Sequence, residues 1–197
     1  MNKAQKLFES VKWQEYEIPK SVLEQVDSEG GQSVRDLRDK ENWGYYHFLG
    51  AFCKQFKPKQ VIELGGAWGT AAMVMATETN GKVYSITLDE PQAFVYVKRD
   101  YPNLIKVIGD DLDLNSWPKE LDLAKTDVWF IDSLHTKEQL TKELELYKPF
   151  FHKGTIVFLD DIYINIGMKE VWDSIPFPKI DLTKKCHYSG WGGFIYE

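Results

Sequence analysis

Gln60-Val61-Ile62-Glu63-Leu64-Gly65-Gly66-Ala67-Trp68-Gly69-Thr70 decides how this chain is read. The first five residues form a short run rich in β-branched and apolar side chains, the composition of a buried strand. The run stops on glycines, and small, helix-compatible residues follow, so a helix is predicted over 69–77, with Asn80-Gly81 ending it. A strand that passes through a glycine turn into a helix brings backbone close to a ligand, and the helix start offers unpaired N–H donors. Gly65, Gly66, Gly69 and Thr70 occupy this turn, although their spacing is not the GxGxxG of dinucleotide dehydrogenases.

The same alternation continues outward. Strands are predicted over 82–86, 105–108, 127–131 and 155–159, each a short apolar run. Thr136 with Gln139 three residues on reads as a capping box, and Leu140, Leu144 and Tyr147 then fall on one face of a helix. A further helix over 167–175 is closed by Pro176, and strands over 179–182 and 193–196 end the chain. Upstream, Tyr45, Phe48, Leu49, Phe52, Cys53 and Phe56 recur at helical spacing. Strands alternating with amphipathic helices predict an α/β fold around a mostly parallel sheet. Residues 43–197 are assigned to this unit. Residues 1–42 are read as a helical segment that either closes over the site near Gly30-Gly31, packs beneath the sheet, or mediates homo-oligomer formation.

A chain of 197 residues with a formal charge of −6 suits one domain and lacks the basic balance of a nucleic-acid binder. No apolar stretch at the N-terminus predicts a signal or a membrane span, so a cytoplasmic protein is expected. Cys53 and Cys186 have no CxxC spacing and are expected as reduced thiols.

The segment Glu63-Leu64-Gly65-Gly66-Ala67-Trp68-Gly69 resembles motif I of class I S-adenosylmethionine-dependent methyltransferases, with Ala67 where a glycine is usual. Alanine is compatible with that position if φ is negative there. The resemblance implies a Rossmann-like, seven-stranded, mostly parallel sheet with helices on both faces and an antiparallel last strand. It also implies that the turn holds the methionine and ribose of the cofactor, and that Glu63 faces its positively charged end. Trp68 either lines that pocket or covers the first helix. The ribose acid expected after the second strand is Thr87 or Asp89, and Gly109-Asp110-Asp111 resembles the acidic loop beside the adenine.

Asp132-Ser133-Leu134-His135 ends the fourth strand and Asp160-Asp161 the fifth, and carboxyl ends of adjacent parallel strands converge on one crevice. Three carboxylates packed together repel unless protons or a cation intervene, and all-oxygen ligation suits Mg²⁺. The pattern resembles that of the metal-dependent O-methyltransferases and of the sugar-directed group classed with cephalosporin hydroxylases. That match implies Asp132, Asp160 and Asp161 as metal ligands and His135 as general base toward a small-molecule hydroxyl, on a sugar or natural product. Structural roles are expected for His47, His152 and His187, and an acceptor platform or core packing for Trp43, Tyr45 and Tyr46. Two rival readings are a non-catalytic cofactor-binding or assembly protein of the same fold, and a nucleotide-sugar glycosyltransferase built on Asp111-Leu112-Asp113.

Overall fold

The computed structural model describes residues 1–26 and 34–197. The Gly30-Gly31 lid expectation lies outside the described residues.

The decisive stretch folds as read: β1 (Gln60–Leu64) runs into α5 (Thr70–Glu78) across the glycine turn, and α5 is followed by β2 (Lys82–Thr87), β3 (Leu104–Ile108) and β4 (Val128–Ile131). Beyond β4 come α6 (Lys137–Tyr147), β5 (Ile156–Asp160), α7 (Ile166–Ser174), β6 (Lys179–Asp181), α8 (Thr183–Cys186) and β7 (Trp191–Ile195). Ahead of β1 stand α1 (Lys3–Glu9), α2 (Lys20–Leu23), α3 (Val34–Arg38) and α4 (Lys40–Phe56). At the start of α6 the Thr136 side chain accepts from the Gln139 amide, but the reciprocal half of the predicted capping box is not formed. The Gln139 side chain donates instead to Asp111 and Glu143.

The seven strands form one sheet in the order β3-β2-β1-β4-β5-β7-β6. All neighbouring pairs are parallel except those of β7, which lies antiparallel between β5 and β6. This is the predicted Rossmann-like sheet. The chain leaves β1 toward β2 and β3 and then returns to the opposite side of β1 with β4, so a crevice opens at the carboxyl ends of β1 and β4.

Side-chain alternation sorts the strands between two cores. Val61, Val83, Val128, Phe130 and Phe158 pack on one face, under α4 and α5. Ile62, Tyr84, Trp129, Val157 and Leu159 pack on the other, with residues of α6 and α7. Phe8, Trp13, Tyr16, Val22 and Leu37 are buried in the first core, so the described part of the N-terminal segment is packed beneath the sheet. Tyr45 and Tyr46 are buried as well, with their rings 4.1 Å apart. Cys53 and Cys186 are buried free thiols. Among the described residues no helix is long and apolar enough to cross a membrane.

Candidate active site

A cleft of about 410 Å³ opens at the switch point, a size suited to a small organic ligand. Among the residues singled out in the sequence, Gly65, Ala67, Thr87, Asp110, Asp111 and Asp132 line it. Gly65 turns the chain with φ of 84°, and Gly69 does so with φ of 88° at the N-cap of α5, where no side chain caps the helix.

Ala67 departs from expectation, because its φ of 36° is positive. Alanine is therefore not excused by a negative φ. The left-handed backbone there is held by its neighbours, with the Ala67 carbonyl accepting from Phe94 N–H at 2.7 Å. Gly66 and Thr70 are buried outside the cleft lining, and a Cβ on Gly66 would stand 2.1 Å from Ser85 Oγ. Trp68 does not reach the cleft; its ring stacks on Tyr96 at 5.2 Å and covers the core beside α5.

Glu63 follows strand alternation rather than the crevice. Its register partner on β2 is Ser85, whose hydroxyl donates to Glu63 Oε2, and both are buried on the α4–α5 face. Burial pushes the Glu63 carboxyl up to about 7, against the opposing Ser85 hydrogen bond. The acid that the end of β2 supplies to the cleft lining is Glu90, beside Thr87 and Gln92; Asp89 lies outside the lining, and both acids are solvent-exposed. The turn over 88–91 sets which of two successive exposed acids borders the cleft, and no periodicity marks that choice.

Asp111, on the cleft wall, and the buried Glu143 form a second acidic pair. The Ser133 hydroxyl donates to Glu143, and Gln139 donates to both acids. Burial raises the Glu143 carboxyl to about 8, with the neighbouring Asp111 adding to the effect. Because the folded value lies above the ordinary 4.5 of a free glutamate, the folded state favours the proton. Stability is thus full below pH about 4.5 and falls as pH rises toward 8. Glu143→Gln should flatten the loss of Tm between pH 6 and 9, a change of a few kcal/mol at the alkaline end. A Tm–pH curve that keeps its slope in the variant would show that Glu143 is already ionised.

Asp113 accepts from the Asn115 backbone at 3.1 Å as the cap of a short 3-10 helix, Leu114–Ser116, and Asp111 is engaged by Gln139. The two acids of the Asp111-Leu112-Asp113 triplet are therefore committed to separate local partners.

At the other end of the crevice the carboxylates converge. Asp132 follows β4, Asp160 ends β5 and Asp161 follows with φ of 52°. His135 sits between them, with Nε2 3.1 Å from Asp132 Oδ1 and Nδ1 3.2 Å from Asp161 Oδ2. Ligand-capable atoms of Asp132, His135 and Asp160 all lie within 4.8 Å of one another, and so do those of Asp160, Asp161 and His187. Asp132 is held well above the ordinary carboxylate range by burial and by the charges of Asp160, Glu63 and Asp161. Burial likewise raises Asp160, opposed by His187. For Asp161 burial is outweighed by hydrogen bonds from His187 and Ser189, and its carboxyl lies below the usual range.

His187 is the residue sequence reasoning missed. It lies on the segment between α8 and β7, and only the insertion of β7 beside β5 carries it to Asp160. Its Nε2 is 3.4 Å from both Asp160 Oδ1 and Asp161 Oδ1. Tyr45 and Trp43 flank the ring at 4.9 and 6.0 Å. His47 is buried in α4 and His152 lies in a turn, away from the cluster.

Comparison with curated proteins finds no match. Among solved structures, the chain superposes on an O-methyltransferase from Bacillus cereus in complex with S-adenosylhomocysteine, with TM-score 0.62, 17% identity and coverage of 91% of this chain and 93% of that one. A methyltransferase of Podospora anserina bound to the same molecule gives TM-score 0.63, 13% identity and coverage of 93% and 91%. These similarities establish the fold. The family described as "Methyltransferase domain" matches residues 62–162, just over half of the chain, a span that runs from β1 through the acidic pair after β5. The chain therefore belongs to the methyltransferase-domain family and is a class I, S-adenosylmethionine-dependent methyltransferase.

Proposed function

We propose that the protein methylates a hydroxyl of a small molecule, a sugar or other natural product, with the help of a divalent cation. The observation that carries this reading is the convergence of Asp132, Asp160 and Asp161 around His135 at the end of the cleft. A non-catalytic protein has no need to hold three carboxylates and two imidazoles in two clusters that share Asp160, an arrangement that destabilises the fold unless charge is balanced.

S-adenosylmethionine supplies an electrophilic methyl group on a sulfonium. The cleft residues fit it: Thr87 and Glu90 would offer acceptors for ribose hydroxyls, Asp110 and Asp111 would border an adenine, and the turn at Gly65 would bring backbone against the ligand. The donor set also fits a divalent cation, because Asp160 Oδ1 is buried without a hydrogen bond and the three acids supply hard oxygen ligands. Such an ion acidifies a hydroxyl that it contacts.

His135 does the remaining work. A neutral imidazole donates through one ring nitrogen and accepts through the other, so one carboxylate contact orients the ring while the second nitrogen takes the acceptor's proton. Asn165 steadies the loop by donating to the His135 carbonyl at 2.9 Å. Leu134 on the cleft wall and the exposed ring of Tyr188, edge-on to His187, give the acceptor an apolar ledge.

Calorimetric titration with S-adenosylhomocysteine, with and without Mg²⁺, tests the cofactor part of the reading. Binding with Kd on the order of micromolar is expected, about −8 kcal/mol. Absence of heat under both conditions, in protein free of copurified cofactor, removes the reading.

A further inference from the structure

We infer that His187 joins Asp160 and Asp161 as a nitrogen ligand, making a metal site selective for a first-row transition ion such as Mn²⁺ or Co²⁺ over Mg²⁺. This rests on the metal-assisted reading above, and it changes the ligand set from all-oxygen to mixed nitrogen and oxygen.

The tautomer of His187 is fixed by its surroundings. Its Nδ1 lies 3.0 Å from the Asn42 carbonyl, which can only accept, so Nδ1 carries hydrogen. With a cation in place of the proton that Nε2 otherwise shares with the two carboxylates, Nε2 would present a lone pair, and a metal-binding histidine is commonly oriented by such a bond from its other nitrogen to a backbone carbonyl. The ring has no room to turn: Trp43 and Tyr45 pack against it, Trp43 forms an isolated antiparallel bridge with it, and its side chain is 4% exposed.

Nε2 faces only oxygens. Asp160 Oδ1 and Asp161 Oδ1 are 3.4 Å away and Ser189 Oγ is 3.3 Å away. Ser189 uses its hydroxyl hydrogen on Asp161 Oδ1, so it has none to donate to Nε2. Asp160 Oδ1, on a side chain 5% exposed, accepts no hydrogen bond. Well-formed N–H···O bonds are about 2.7–3.2 Å long. Atoms that share one ion at bonds of about 2.1 Å stand about 3.0–3.4 Å apart, the spacing these atoms show. A cation among Nε2, Asp160 Oδ1 and Asp161 Oδ1 would satisfy all three at once.

Imidazole nitrogen binds first-row transition ions well, whereas Mg²⁺ prefers oxygen and keeps its waters. Placing the ion on this side of Asp160 also leaves the His135 contacts with Asp132 Oδ1 and Asp161 Oδ2 in place.

The test uses the whole protein loaded separately with Mn²⁺, Co²⁺ and Mg²⁺. Affinities come from calorimetry, and nitrogen ligation from pulsed electron paramagnetic resonance of the Mn²⁺ form. Co²⁺ is expected to bind at least tenfold more tightly than Mg²⁺, and the Mn²⁺ spectrum to carry imidazole nitrogen modulation. That modulation should persist in His135→Ala and vanish in His187→Gln. The wild-type spectrum stands even if a variant folds poorly. Equal Co²⁺ and Mg²⁺ affinities, a nitrogen signal that follows His135, or no bound ion would each overturn the inference. The last result would leave His187 as an imidazolium paired with two carboxylates. S-adenosylhomocysteine binding, measured on the same samples, separates the two failures. If it persists, only the ligand assignment is lost; if it is absent, the methyl-transfer reading fails independently.

Discussion

His135→Ala is expected to lower kcat by about 10²–10⁴-fold while leaving the Kd for S-adenosylhomocysteine within about twofold of wild type. The asymmetry follows from position. His135 is absent from the residues that line the cofactor cleft, and its ring contacts are Asp132 and Asp161. Removing it deletes the group that takes the hydroxyl proton and leaves the walls at Gly65, Thr87 and Asp110 in place. Asp132→Asn should behave differently, because Asp132 both touches the His135 ring and lines the cleft. Its substitution should weaken turnover and cofactor binding together. A His135→Ala protein whose cofactor affinity falls as far as its kcat would identify the ring as a structural brace between β4 and the loop after β5. Single-turnover rates with saturating cofactor, beside calorimetric Kd values, decide between the two.

The convergence of Asp132, Asp160 and Asp161 was legible because it needs only two local facts and one rule. Both segments follow apolar strand runs, and parallel neighbouring strands bring their carboxyl ends together. The strand boundaries were legible to within a few residues for the same reason: burial on both faces leaves near-continuous apolar runs such as Val128-Trp129-Phe130-Ile131. His187 was not legible. Its neighbours Cys186, Tyr188 and Ser189 carry no ligand spacing, and its place beside Asp160 depends on β7 entering between β5 and β6, a pairing of distant segments. Glu90 was hidden by the turn after β2, where one residue decides which acid borders the cleft. Ala67 was misread because local preference argues against a left-handed alanine, and only the surrounding contacts hold it there.

Gly65→Ala is expected to weaken S-adenosylhomocysteine binding by about 100-fold or more and to lower stability by several kcal/mol, whereas Gly154→Ala should cost only about 1 kcal/mol. Both glycines have positive φ, 84° at Gly65 and 98° at Gly154, so an alanine at either carries the conformational cost of the left-handed region. They differ in what the new methyl meets. A Cβ on Gly154 has nothing within 4 Å, while on Gly65 it would lie 1.8 Å from the Asp132 carbonyl oxygen and 2.9 Å from Ser133 Cα. Those are backbone atoms, tied to β1 through the Asp132 amide, which donates to the Leu64 carbonyl at 2.9 Å. They cannot yield as a flexible side chain would, so β1 and β4 must part at their carboxyl ends. Parting them displaces Asp132 from the cleft wall and from His135, so the substitution should impair the cofactor site and the acidic cluster together. Thermal melting of both variants isolates the steric part as the difference between them, and calorimetry shows whether cofactor binding follows it. Equal destabilisation by the two substitutions would mean that the close approach of Gly65 to Asp132 relaxes at little cost, and that the glycine is kept for its backbone angle alone.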